Sequence, residues 1–106
     1  MRGDVVKGHL DLLLLAALAP APAHGYAVIA RLRERSDGAF DFPEGTIYPA
    51  LHRLERSGLL RSGWDESAPR RRRVYELTRR GRAALSEREE EWRRFRGAVD
   101  IVVAQP

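Results

Sequence analysis

Apolar residues fall at helical spacing in three early stretches of the chain. Over residues 7–18, Leu10, Leu13, Leu14, Ala17 and Leu18 recur at steps of three and four, while Leu12, Leu15 and Ala16 make the segment apolar nearly all round. One core face cannot satisfy such a helix, so part of it must meet a further partner. Pro20 and Pro22 end it by pushing the residues before them into extended backbone. A second helix is expected from about His24-Gly25-Tyr26 to Arg35, with Tyr26, Ile29, Ala30 and Leu32 or Arg33 on its stripe and Ser36-Asp37-Gly38 closing it. A third covers roughly 46–57: Ile47, Ala50, Leu51 and Leu54 share one face, and Tyr48, Pro49, His52, Arg53 and Arg56 lie opposite. Gly58 supplies the left-handed position that stops it.

The period then changes. Residues 59–64 and 71–77 have strand character, clearest at Val74-Tyr75-Glu76-Leu77, and a turn-rich loop separates them, which predicts a two-stranded hairpin. Thr78 is a good N-cap for a last helix reaching about Val103. On that helix Leu85, Trp92 and Val99 are seven apart, as are Phe95 and Val102. A helix of about 25 residues is ~38 Å long, too long for a domain of this size to cover. Its outer half is expected to pack on a second copy of the chain.

The third helix carries an oddity, since Pro43, Gly45 and Pro49 crowd its start. Proline costs least in a first turn, where N–H groups have no intrahelical partner. The expectation is that Pro43 initiates the helix, Pro49 ends its first turn, and Gly45 relieves crowding. The resulting terminus, with free N–H groups and a positive dipole end, suits a phosphate near Gly45 and Thr46.

Charge sharpens this picture. The formal net charge is only +4, but Arg70 to Arg73 form one run and Arg79, Arg80 and Arg82 another, while Glu87 and Glu89 to Glu91 are acidic. A local basic patch attracts a polyanion through a salt-dependent field. With 106 residues the chain has room for one core, read as a DNA-binding unit over 1–78 followed by a dimerisation helix over 79–106 within one folding unit. The absence of cysteine excludes disulfides, a thiolate zinc site and a cysteine nucleophile. The longest apolar run, 12–22, is about half of a bilayer span, so a core helix is expected, not a membrane segment or signal peptide. His9, His24 and His52 have no metal-ligand spacing, and no catalytic motif is present, so neither a metal, a cofactor nor an enzyme is expected.

Helix, helix, helix, hairpin, helix is the order of a winged helix-turn-helix: a mainly α fold with a small β-hairpin, whose third helix enters the DNA major groove while the hairpin touches the flanking backbone. Arg53 and His52 are then the candidates for base edges. Thr46, Tyr48 and the wing arginines Arg71, Arg72 and Arg73 are the candidates for phosphates. Adjacent strand residues alternate sides, so only about two of the arginines in the run can face one groove.

The segments His24-Gly25-Tyr26, Pro43-Glu-Gly-Thr-Ile-Tyr-Pro-Ala-Leu-His-Arg-Leu-Glu55, Gly58-Leu-Leu60, Arg71-Arg-Arg-Val-Tyr75 and Leu77-Thr78 with Gly81 resemble the PadR family of bacterial transcriptional regulators, over about residues 10–85. The resemblance implies a winged-helix repressor in the cytoplasm, homodimeric through its first and last helices, binding a palindromic double-stranded operator and releasing it on binding a small hydrophobic or aromatic effector. A single helix after the wing is similar to the family's short subgroup. Carried over by position, Thr46, Tyr48, His52 and Arg53 match the recognition-helix motif, Tyr26 the tyrosine that begins the second helix, and Arg71 to Arg73 the basic wing strand. Trp92, with Phe95, Val99 and Leu14, marks the effector or dimer interface. Lys7 is the only lysine, a departure from the family's usual mixture of basic residues.

Plainer roles fit some of these residues. Tyr48 can pack beside the second helix, Tyr26 can be structural, and Trp92 with Phe95 can be dimer core without a guest. The rival for the whole chain is a winged helix used as a protein-interaction module.

Overall fold

The computed structural model describes residues 7–67 and 69–106. A 3₁₀ turn, Lys7–His9, leads into α1, Leu10–Leu18. There follow β1, Ala23–His24; α2, Gly25–Arg35; α3, Glu44–Arg56; β2, Leu60–Asp65; β3, Arg72–Leu77; and α4, Arg79–Ala104. The strands form one antiparallel sheet in the order β1-β3-β2. This is the expected winged helix with one addition, since β1 pairs Ala23 with Tyr75 and His24 with Val74. Two residues are too few to show any alternation, so this strand left no pattern to read.

α1 is the hub. It touches α2, α3, α4 and β3, which accounts for its apolarity on most sides. Leu14, Leu15, Ala17 and Leu18 are buried in a cluster with Val28, Leu32, Ile47, Leu51, Leu54, Leu60, Tyr75 and Leu77. Leu14 is thus a correction: its side chain is wholly enclosed by its own protomer and cannot line an interface between copies. The half-buried face of α1 is formed instead by Leu12, Leu13 and Ala16.

The C-terminal carbonyls of α1, and two in the linker after it, are capped from α2. Arg31 donates to Ala17 O at 3.0 Å, Ala21 O at 2.8 Å and Pro22 O at 3.3 Å, and Arg35 donates to Ala16 O at 3.1 Å. Carbonyls that end a helix have no internal donor, and cationic side chains satisfy both their lone pairs and the dipole. α2 itself is rotated from the expected stripe. Gly25, Val28 and Leu32 are its buried residues, Tyr26 is exposed, and Arg33 is exposed.

α3 begins two residues earlier than its periodicity suggests. Pro43 is the N-cap in extended backbone, and its carbonyl accepts from Thr46 N and Ile47 N. Pro49 therefore lies in the second turn, not at the end of the first. The hydrogen bond it omits is the one to Gly45 O, four residues back. At the other end Gly58 has φ +81°, and Gly58 N and Leu59 N donate to Glu55 O and Leu54 O, the paired bonds of a Schellman stop.

Thr78 caps α4 by accepting from Gly81 N at 3.0 Å, while its hydroxyl donates to Gly58 O at 2.6 Å. One threonine thereby joins the end of α3 to the start of α4. From residue 91 onward every residue of α4 is exposed, and the protomer extends over 58 × 28 × 21 Å. Among the described residues no helix is long and apolar enough to cross a membrane.

Gly81 leaves no room for a side chain, because a Cβ there would sit 2.0 Å from Leu59 O. Gly81→Ala is expected to cost about 2–3 kcal/mol, since backbone and not a flexible side chain must yield. Urea unfolding of the two proteins measures this directly; equal midpoints and slopes would show that α4 is not seated on Leu59.

Candidate nucleic-acid interface

Burial of Ile47, Ala50, Leu51 and Leu54 fixes how α3 is rotated about its axis. At about 100° per residue, the strip farthest from the core is Gly45, Pro49, His52 and Arg56, all exposed. Nothing lies within 4 Å of the place a Gly45 Cβ would occupy. The helix start is accordingly open to close approach, with Gly45 O deprived of its usual donor by Pro49.

Tyr48 and Glu55 flank this strip on the side of α2 and the sheet. The Tyr48 ring lies over Gly25, where a Cβ would stand 2.5 Å from its Cζ. Gly25 is therefore the seat of Tyr48, which explains the glycine in His24-Gly25-Tyr26. Tyr26 meets Tyr48 edge-on at 6.2 Å between centroids and His24 at 6.5 Å. The Glu44 carboxylate, by hydrogen bond and then by charge, raises the pKa of the exposed Tyr26 hydroxyl, leaving it a proton donor at the helix entrance. His24 Nδ1 accepts from Ala27 N, and its Nε2 lies 3.0 Å from Arg72 Nη1. With Nδ1 committed to accepting from Ala27 N, a second proton on the ring is unwelcome; burial, then the charges of Arg72 and Arg31, hold His24 below its ordinary 6.5.

Thr46 and Arg53 flank the opposite side. Arg53 does not extend freely: Nη2 and Nη1 grip Asp11 Oδ1 and Oδ2 of α1 at 2.7 and 3.0 Å. Arg88 of α4 donates to the same Oδ2 at 3.3 Å. One carboxylate thus ties the third helix to the first and last. Asp11 lies 42 residues from Arg53, and no local periodicity reveals such a pair.

The wing divides its arginines as alternation requires. Arg71 and Arg73 lie on the face of the sheet that carries Leu60, Tyr75 and Leu77 toward α3, and Arg72 lies on the other, against His24. Both Arg71 and Arg73 sit over the Trp64 ring, 4.4 and 5.0 Å from its centroid. Arg73 Nε donates to Ser62 Oγ at 2.8 Å, and Ser62 Oγ donates to Glu55 Oε2 of α3 at 2.6 Å. Arg71 also pairs with Glu66 at 3.4 Å. Trp64 was hidden in the sequence by its place in an ordinary strand; only the cross-strand register with Arg73 makes it visible.

On α4, Trp92, Phe95 and Val99 are exposed, as are Ile101, Val102 and Val103. His9 meets the Trp92 ring edge-on at 5.3 Å, and Trp92 lies 6.1 Å from Phe95. With Leu12 and Arg88 these side chains line a shallow cavity of about 220 Å³.

Residues 14–87 match the transcriptional regulator PadR-like family. The chain is 49% identical over 55 residues, 52% of its own length and 51% of the relative's, to the transcriptional regulator Rv3488 of Mycobacterium tuberculosis. Its fold is similar to that of a transcriptional regulator from Clostridium thermocellum, with a TM-score of 0.86 and 28% identity over 92% of this chain and 96% of that one. It is also similar to a PadR family transcription regulator from Clostridium difficile, with a TM-score of 0.82 and 31% identity over 92% of this chain and all of that one.

The hydrogen bond from Arg53, above all, holds the Asp11 carboxyl below its ordinary 3.8; partial burial opposes it, and the charges of Arg53 and Arg88 add to it. A carboxyl that binds its proton less readily folded than unfolded stabilises fully above pH 3.8, and its contribution fades as pH falls through the lower folded value. Asp11→Asn is expected to cost about 1–2 kcal/mol at neutral pH, a figure reduced by the half-exposure of Arg53. Urea unfolding across the acid range should show wild type and variant converging below pH 3.8; a gap that does not narrow there contradicts the tie.

Proposed function

The chain belongs to the PadR-like family of transcriptional regulators, and from that premise we propose that it is a homodimeric, cytoplasmic repressor that binds a palindromic double-stranded operator. Each protomer lays the outer strip of α3 in a major groove. His52 and Arg56 reach base edges, and Arg53 does so only by leaving Asp11. Thr46, Tyr48 and Tyr26 approach the phosphates around the helix entrance, and Arg71 and Arg73 bring the α3-side face of the wing to the flanking backbone, while Arg72 on the other face stays against His24. The observation that carries this reading is the continuity of one exposed surface: the open N-terminal turns of α3, its polar strip, and the wing arginines joined to it through Glu55 and Ser62.

The second copy covers the outer half of α4. Trp92, Phe95 and Val99 share one side of that helix and are exposed in a single protomer, at spacing that suits helix-on-helix packing. The cavity beside Trp92, with its aromatic wall, fits a small hydrophobic or aromatic effector whose binding between the copies releases DNA. Trp92→Ala with Phe95→Ala is expected to weaken self-association at least tenfold by sedimentation; an unchanged dimer would place the interface elsewhere.

Selection of bound sites from random double-stranded DNA tests the function as a whole. The expected outcome is a two-fold symmetric motif with half-sites about 10 base pairs apart; failure to enrich any motif would overturn the proposal. On the selected site Arg56→Ala should cost about 1–3 kcal/mol and relax preference at one position per half-site, as loss of a base-reading arginine does. Arg53→Ala should relax it less, because Asp11 already occupies that guanidinium. The opposite ranking would return the base contact to Arg53.

A further inference from the structure

Trp64 is half exposed, at 52%, on a wing with no other large apolar side chain at its tip. Core packing does not explain so large a ring in that position. Its surroundings do. Arg73 is its direct cross-strand partner, and Arg71 is the diagonal neighbour two residues away, within reach of a long side chain. Both guanidinium carbons lie within cation–π range of the ring. Two cations gathered at one ring repel, and attraction of each to the electron-rich ring offsets that repulsion. Arg73 is also fixed at its Nε by Ser62 Oγ, whose own proton goes to Glu55 of α3. A connected series therefore runs from the recognition helix to the wing: Glu55, Ser62, Arg73, Trp64, Arg71.

We infer that Trp64 is a positioning residue for DNA binding: its ring holds Arg71 and Arg73 side by side on the wing face nearest α3, so that both charges meet the backbone beside the groove that α3 enters. This rests on the DNA-binding reading above. A free arginine side chain has many rotamers, and ordering it at the moment of binding costs entropy that a preset pair has already lost. The partner this surface suits is two phosphates of one strand segment. Glu66, which shares Arg71 at 3.4 Å, is too exposed to hold it alone, with side chains 60% and 72% exposed.

The experiment uses full-length chain, a DNA fragment selected as above and a scrambled fragment of equal length, with affinity measured against salt concentration. Each phosphate neutralised contributes about 0.9 to the slope of log affinity against log salt. Trp64→Ala is expected to flatten that slope by one to two phosphates' worth on both fragments, to leave the selected motif unchanged, and to be largely rescued by Trp64→Phe, which keeps a ring face. Trp64→Leu keeps apolar bulk without the ring and is expected to behave like Trp64→Ala, so it serves if the alanine variant folds poorly. Adding Trp64→Ala to Arg71→Ala/Arg73→Ala should change nothing more. An unchanged slope with lost affinity would mean that the ring touches DNA itself, and would overturn the proposal, as would additive losses in the triple variant. Wild-type protein that bound neither fragment would overturn the DNA-binding reading and this inference with it, whereas normal wild-type binding with an unaltered Trp64→Ala slope would overturn the role of Trp64 alone.

Discussion

The whole outer strip of α3 depends on one constraint, the burial of Ile47, Ala50, Leu51 and Leu54 against α1, α2 and the sheet. A helix pinned along one stripe cannot roll, so the identity of its outward residues is settled by packing on its inward side. Ile47 and Leu51 are completely enclosed, and each such side chain withdrawn from water contributes about 2 kcal/mol. A rotation of one residue's worth would expose part of this stripe and drive Tyr48 off Gly25. Gly45, Pro49, His52 and Arg56 point outward because nothing else is compatible with that core.

Packing and polar ties then lock the position of α3 along its length. Tyr48 over Gly25 holds its first half to α2, Glu55 with Ser62 holds its last turn to the wing, and Thr78 with Gly58 joins its C-terminal stop to α4. Asp11 adds a fourth tie through Arg53 and carries it onward to Arg88. That last connection runs from α3 to the rim of the Trp92 cavity through a single carboxylate.

Much of this was legible in the sequence wherever information is local. The stripe of α3, the left-handed Gly58, the Thr78 cap and the change from helical to alternating period all depend on neighbours within a few residues. What stayed hidden depends on residues far apart. Arg53 looks like a free cation until Asp11 is brought beside it, and Trp64 looks like an ordinary strand residue until Arg73 lies across from it. Leu14 and Leu13 are equally apolar, and only packing tells which one faces the protomer's own core. The periodicity of α2 points one residue out of phase because Tyr26, a large ring, is exposed, while Gly25, with no side chain at all, is buried beneath Tyr48. The start of α3 moved because a proline cap offers no side-chain hydrogen bond to mark it.

The chain has no cysteine, which permits the most direct test of how α3 is rotated. Single cysteines are placed at Gly45, His52 and Arg56 on the outer strip, and at Arg33 and Glu87 as exposed controls away from it. Their alkylation rates are compared with and without the selected DNA fragment. Protection confined to the three outer-strip positions is the predicted result; equal protection at the controls, or unchanged labelling along the strip, would contradict the account.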